Sequence, residues 1–90
     1  MRLDVGKFGK VLLSRPQGRE AFLAARAYVL PKGEKSAIVE LDFSHVDVLT
    51  PSWADEFIRG LKEQLGPSNV KPLENTGNAS VKLSLEAIRQ

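Results

Sequence analysis

Segment 49–56 places two hydroxyl side chains and two carboxylates at a predicted helix start. It contains Thr50, Pro51, Ser52, Asp55 and Glu56. Thr50 can cap the helix with Pro51 in its first turn, or Ser52 can cap it with Asp55 completing an approximate capping box. Alternatively, Thr50 or Ser52 could be phosphorylated. Free N–H groups and the positive end of the helix dipole would stabilise the phosphate, whereas the two carboxylates would repel it. Helix initiation and a phosphate switch are both open interpretations of this segment.

His45 is the only histidine of the chain, and it follows Ser44 in a predicted turn. It could serve as a ligand or a base, or simply be a solvated turn residue. The neighbouring Asp42 and Asp47 do not have the spacing that selects a metal ion, and neither is a strong general acid without a pocket. We therefore predict no metal site and no cofactor.

A second group of polar side chains lies in the predicted loop 75–78. It reads Asn75-Thr76-Gly77-Asn78, and one glycine without a lysine is neither a P-loop nor a dinucleotide-binding fingerprint. Turn formation accounts for this composition. As an alternative function, Asn75, Thr76 and Asn78 could bind a nucleotide or another small anion together with the helix start.

Catalysis and nucleic-acid binding are not expected. The 90 residues include no cysteine, so the chain has no thiolate nucleophile, disulfide or cysteine-based zinc site. No serine elbow motif accompanies the lone histidine. Thirteen basic and 11 acidic residues give a net charge of +2, and no basic run carries interleaved aromatic residues. We predict that the protein is not an enzyme.

The chain has the features of a cytoplasmic protein without membrane contact. No apolar run reaches the roughly 20 residues of a membrane span, and the N-terminus lacks the apolar stretch of a signal peptide. Charge is unevenly distributed: residues 1–35 hold eight basic and three acidic residues, whereas residues 36–90 hold five and eight. A surface with one basic and one acidic region could steer a charged partner.

Alternating strand and helix signals predict an α/β fold. The length fits one domain, 1–90, with a mixed central sheet and the element order ββαβαβα. Strands are expected at 1–5, 8–13, 37–43 and 70–74, the first two as separate strands or a hairpin, and helices at 16–30, 51–65 and 79–89. The strand at 37–43 is apolar almost throughout, which favours a central position covered on both faces.

The loops that follow strands 37–43 and 70–74 should meet at one edge of the sheet. Functional loops of open α/β sheets lie beyond the carboxyl ends of parallel strands, here residues 44–52 and 75–78. Trp53 begins the adjoining helix as the only tryptophan. It could be an exposed interface anchor, or it could cover the edge of the core.

Two segments carry a resemblance to a known family. Residues 39–46 read Val-Glu-Leu-Asp-Phe-Ser-His-Val, and residues 49–57 read Leu-Thr-Pro-Ser-Trp-Ala-Asp-Glu-Phe. They resemble the STAS fold of sulfate transporters and anti-sigma-factor antagonists, and more closely the small bacterial STAS-like family of unknown function. Leu13-Ser14-Arg15 and Asn75 are also similar to that family, so the likeness covers nearly the whole chain.

The resemblance implies a STAS-like domain with a regulatory role. Antagonist STAS domains bind a partner through this loop and helix, and a GHKL-type ATPase or kinase phosphorylates a serine of their Asp-Ser-Ser-Gly motif. The matching position here is Pro51, which has no hydroxyl, so Thr50 and Ser52 are the candidate phosphoacceptors. Such an ATPase, or a related regulator, is the protein partner that the resemblance implies.

We therefore expect a non-enzymatic regulatory module that resembles anti-sigma-factor antagonists and binds a protein partner. The expected partner-binding residues are Ser44, His45, Thr50, Ser52, Trp53 and Glu56. A homodimer that uses Trp53 or a sheet edge is a further alternative.

Overall fold

A computed structural model describes residues 1–28, 30 and 37–89 as alternating strands and helices. The strands are β1 (Arg2–Asp4), β2 (Val11–Leu12), β3 (Val39–Asp42), β4 (Val48–Leu49) and β5 (Val70–Pro72). The helices are α1 (Arg15–Tyr28), α2 (Pro51–Leu65) and α3 (Ala79–Ile88), and two 3₁₀ helices cover Val5–Phe8 and Pro67–Asn69. The predicted α/β class is confirmed. The predicted helix bound at residue 30 is wrong, because α1 is Arg15–Tyr28 and Leu30 is not helical, while Pro31 lies outside the described residues.

Strands β1, β3 and β5 form a parallel sheet with β3 in the middle. One face of the sheet is buried and carries Leu3, Val39, Leu41 and Val70. The other face is exposed and carries Arg2, Glu40 and Lys71, which are register partners. The central position of β3 is confirmed. Coverage on both faces is wrong, because β3 alternates apolar and acidic residues and Glu40 is exposed.

Strands β2 and β4 form a separate two-stranded ribbon. The N–H groups of Val48 and Thr50 donate to the carbonyl oxygens of Lys10 and Leu12 over 3.0 and 3.1 Å. The hairpin alternative for residues 1–13 is wrong, because β2 pairs with β4 and a 3₁₀ helix follows β1. The strand pairs of the described residues are all parallel, and they are divided between two sheets rather than joined in one mixed sheet.

Helices α1 and α2 cross closely because glycine lies at two of their contacts. A Cβ atom at Gly18 would lie 2.7 Å from the carbonyl oxygen of Trp53, and one at Gly60 would lie 2.7 Å from the ring of Phe22. The close crossing covers the buried face of the β1–β3–β5 sheet and contributes Trp53 and Phe57 to a single apolar core. Helix α2 has the predicted bounds, with Gly66 immediately after its last residue.

Candidate functional site

Thr50 is the N-cap of α2, as one of the two capping interpretations predicts. Its Oγ1 accepts the N–H of Trp53 over 3.4 Å and donates to the carbonyl oxygen of Leu13 over 2.6 Å. Pro51 occupies the first helical position, where a missing N–H has no consequence. The Thr50 hydroxyl is thus committed to holding the helix start against the end of β2.

Ser52 differs from Thr50 because it is exposed at the start of α2. Its hydroxyl makes no hydrogen bond to any of the residues that the structure describes. Residues three and four positions apart are neighbours on a helix surface, so Ser52 lies beside Asp55 and Glu56. Of the two candidate phosphoacceptors, Ser52 is therefore the accessible one.

Trp53 is a core residue. Only 1% of its surface is exposed, and its ring stacks on Phe57 with centroids 4.8 Å apart. The expectation of an exposed interface anchor is wrong, and the alternative that Trp53 covers the core is right. The spacing of Trp53, Phe57 and Leu61 at every fourth residue was the sequence signal for this placement.

A network of charges joins the start of α1 to the first turns of α2. Arg15 donates from Nη1 to Asp55 over 2.8 Å and to Glu56 over 3.1 Å. Arg59 also donates to Asp55 over 2.8 Å, and Arg19 lies 3.9 Å from Glu56. The hydrogen bond from Arg15, together with the charge of Arg59, lowers the pKa of Asp55. Glu56, an expected partner-binding residue, is therefore already paired within the fold.

A polar cluster lies at the carboxyl end of β3. The Asp42 carboxylate accepts the N–H of Ser44 over 2.9 Å and the side-chain amide of Asn75 over 3.3 Å. Arg2 lies 3.8 Å from its other oxygen. Hydrogen bonds from the Ser44 side chain and backbone, and from Asn75, lower the pKa of Asp42. The loops after β3 and β5 therefore meet at one edge, as predicted.

His45 lies at the same edge with 68% of its side chain exposed. Its Nδ1 is 3.3 Å from a carboxylate oxygen of Asp4, the register partner of Asp42 on β1. Sequence reasoning missed Asp4, whose position at the end of the first parallel strand was the available signal. Within residues 1–28, 30 and 37–89, no group of three or more His, Asp or Glu residues could hold a metal ion.

The loop 75–78 uses its polar side chains inside the fold. Asn78 caps α3 by accepting the N–H groups of Ser80 and Val81, and its amide donates to the carbonyl oxygens of residues 46 and 47. The Thr76 hydroxyl oxygen accepts the N–H of Asn78 over 3.1 Å. Because Asn75 also bonds Asp42, all three predicted ligand-binding side chains have structural partners.

The β2–β4 ribbon exposes apolar side chains on its outer face. Val11 and Val48 are register partners and are 53% and 38% exposed, and Leu13 is 50% exposed. The inner residues Leu12 and Leu49 are buried. We call Val11, Leu13 and Val48 the ribbon face. Sequence reasoning missed it, because the run 11–13 is apolar at every position and gives no alternation that separates inside from outside.

The comparisons with known proteins give one match. The family model described as "STAS-like domain of unknown function (DUF4325)" matches residues 26–80. This range contains β3, β4, α2 and β5, and hence the turn at Ser44 and the helix start at Thr50. No curated protein and no solved structure matches the chain. Among the described residues, no helix has the length and apolar character needed to cross a membrane.

Proposed function

This chain belongs to the family of STAS-like domains of unknown function, and from that premise we propose that it is a non-enzymatic regulatory module that binds a protein partner. The partner would contact the ribbon face and the adjoining start of α2. Ser44 and His45 at the neighbouring sheet edge are further candidate contacts.

The observation that carries the proposal is the exposure of the ribbon face. Exposed apolar side chains that cluster on one surface are typical of protein-interaction sites. The backbone continues directly from Val48 through Thr50 to the exposed Ser52, so apolar and polar contacts adjoin. Three aliphatic side chains form a small patch, which favours a reversible regulatory contact over a permanent one.

The resemblance to antagonist STAS domains supports an ATPase of the GHKL type, or a related regulator, as the partner. Ser52 is the phosphoacceptor that we favour, because the Thr50 hydroxyl is hydrogen-bonded to Leu13 and Trp53. A phosphate on Ser52 would be stabilised by the dipole of α2 and opposed by Asp55 and Glu56. It would also compete with these carboxylates for Arg15.

We favour protein binding over the small-ligand alternative. A nucleotide or anion at the loop edge would need donors from Asn75, Thr76 and Asn78. Asn78 uses both its oxygen and its amide nitrogen within the fold, and Asn75 donates to Asp42, whereas the Thr76 hydroxyl only accepts in its bond from the Asn78 N–H. Binding through the amides of Asn75 and Asn78 would replace existing bonds with ligand contacts, which leaves little net gain.

Affinity capture from the native host tests the proposal. Wild-type protein and Ser52→Asp are used as baits, and mass spectrometry identifies both the captured proteins and any phosphate on the bait. We expect a regulator on the wild-type bait that Ser52→Asp fails to retain, and phosphate on Ser52 rather than Thr50. Identical proteins on both baits, with no modified serine, would remove the helix start from the proposed interface.

A further inference from the structure

The outer edge of β2 is open. In a parallel ladder the residues on either side of a bridge residue make the hydrogen bonds to the neighbouring strand. Here Lys10 and Leu12 accept from β4, so the N–H and C=O of Val11 point away from it. No other strand among the described residues pairs with β2.

The outer edge of β4 is closed by contrast. Leu49 donates its N–H to the hydroxyl of Ser80 over 3.2 Å, and its carbonyl oxygen accepts the hydroxyl of Ser84 over 2.8 Å. Helix α3 therefore satisfies the backbone on that side. Within the described residues, β2 is the side on which the ribbon can gain a third strand, since an unpaired edge is a template for strand addition. The free backbone groups on that side are those of Val11, because Leu13 donates its N–H to Gln17 and its carbonyl oxygen accepts the Thr50 hydroxyl.

A cleft of about 300 Å³ lies beside this open edge, between β2 and α1. Its apolar lining includes Phe8, Val11 and Leu12, and Trp53 borders it with 1% of its surface exposed. Val11 also belongs to the ribbon face, so the cleft is continuous with the proposed interface. The volume is at the lower limit for a small-molecule pocket and is sufficient for one long side chain.

The charge of the cleft indicates what kind of side chain would enter it. Among the described residues, Glu20 is the only ionisable one that lines the cleft, and it has no ion pair or hydrogen bond within that part of the chain. Gln17 also lines the cleft, and its Oε1 accepts the N–H groups of Leu13 and Ser14, so its amide hydrogens remain available. The partly buried Phe8 ring beside this carboxylate is suited to a guanidinium group, which stacks on rings and forms forked hydrogen bonds to carboxylates.

We propose that an extended segment of a protein partner pairs with the outer edge of β2 and inserts an arginine side chain into the cleft, with its guanidinium on Glu20. Strand addition of this kind takes its affinity from backbone hydrogen bonds and its specificity from side-chain pockets. The inference rests on the proposed function, because it specifies the type of partner segment that the surface would bind.

The test uses the acetylated and amidated pentapeptide Thr-Val-Arg-Val-Thr as probe and nuclear magnetic resonance spectra of the labelled full chain as readout. We expect the peptide to shift the backbone signals of residues 11 and 12 and the indole signal of Trp53. The same peptide with glutamate in place of arginine should not shift them. A peptide N-methylated at its two valines should also fail, because it cannot complete the strand pairing.

Glu20→Lys should weaken binding of the arginine peptide by at least about fivefold, since it replaces an attractive pair with a repulsive one. Glu63→Lys is the matched control, because Glu63 is an exposed glutamate of α2 that does not line the cleft. Equal binding of the glutamate or N-methylated peptide, or no shift at residues 11 and 12, would overturn the inference. So would a mass that doubles with concentration, because a second copy would then occupy the edge.

These outcomes are separable from the proposed function. One outcome is a captured regulator that loses binding when Val48 or Ser52 is changed but binds Glu20→Lys as well as wild type. That result would support the proposed interface and contradict the proposed arginine insertion. If the peptide binds as expected while no regulator is captured, the cleft stands and the regulatory proposal fails.

Discussion

The hydroxyl of Thr50 donates to the carbonyl oxygen of Leu13 over 2.6 Å and joins two segments that are 37 residues apart in the chain. The same residue caps α2 and donates its backbone N–H to the carbonyl oxygen of Leu12 in the ribbon. One side chain therefore fixes the start of α2 relative to β2. The apolar ribbon face and the exposed Ser52 are held in a constant arrangement as a result.

Replacing Thr50 should destabilise the fold. Thr50→Val keeps the shape but removes both the N-cap acceptor and the donor to Leu13, so we expect a loss of about 1–2 kcal/mol in the free energy of unfolding. Urea denaturation measures this loss in the free energy of unfolding. Ser52→Ala is the control and should change stability by less than about 0.5 kcal/mol. Equal stability of the two variants would show that Thr50 does not join ribbon and helix.

The close crossing of α1 and α2 depends on Gly18. Gly18→Ala gains about 1 kcal/mol of helix propensity, but its methyl group would meet the backbone oxygen of Trp53 at 2.7 Å. Overpacking against the backbone costs about 1–3 kcal/mol, so we expect a net loss of stability and a lower thermal midpoint. Gly77→Ala, with no atom within 4 Å, should leave the midpoint unchanged. A stabilised Gly18→Ala would contradict this packing.

Asp42 should make stability depend on pH. Its pKa is lowered in the folded state, so its contribution is complete above the ordinary value of 3.8 and is lost as the pH falls through the lowered value. Asp42→Asn should be less stable than wild type by about 1 kcal/mol at neutral pH, and the difference should shrink on acidification. Denaturation at several pH values measures this. Asp47→Asn, at an exposed position, should follow wild type throughout.

Trp53 should affect stability rather than recognition directly. Trp53→Ala removes a fully buried ring that stacks on Phe57, and we expect a loss of about 3–5 kcal/mol in the free energy of unfolding. Loss of partner binding by this variant would follow from unfolding. Calorimetry measures the stability of both proteins. A Trp53→Ala protein as stable as wild type would contradict the core position of Trp53.

The α2 region could be predicted from sequence because its signals are local. Thr50-Pro51 marks the beginning of the helix and Gly66-Pro67 its end, and both signals act within one turn of the chain. The edge that joins Asp42 and Asn75 was also predictable, because parallel strands direct their following loops to one side.

The ribbon could not be predicted in the same way. Pairing of β2 with β4 joins distant segments of two residues each, and such short strands have no periodicity of their own. Asp4 reaches the polar edge only because β1 lies next to β3. The two alternatives for Trp53 could be decided only by the burial that the α1–α2 crossing creates.

The most direct test of the central claim measures how the captured regulator, once purified, binds to Val48→Lys. Val48 lies on the ribbon face, whereas Ile38 is an exposed β-branched residue immediately before β3 and is not part of the ribbon, so Ile38→Lys is the matched control. We predict at least about tenfold weaker binding for Val48→Lys and wild-type affinity for Ile38→Lys, by isothermal titration calorimetry. Wild-type affinity for Val48→Lys, or equal losses in both variants, would contradict the claim that the ribbon face binds the partner.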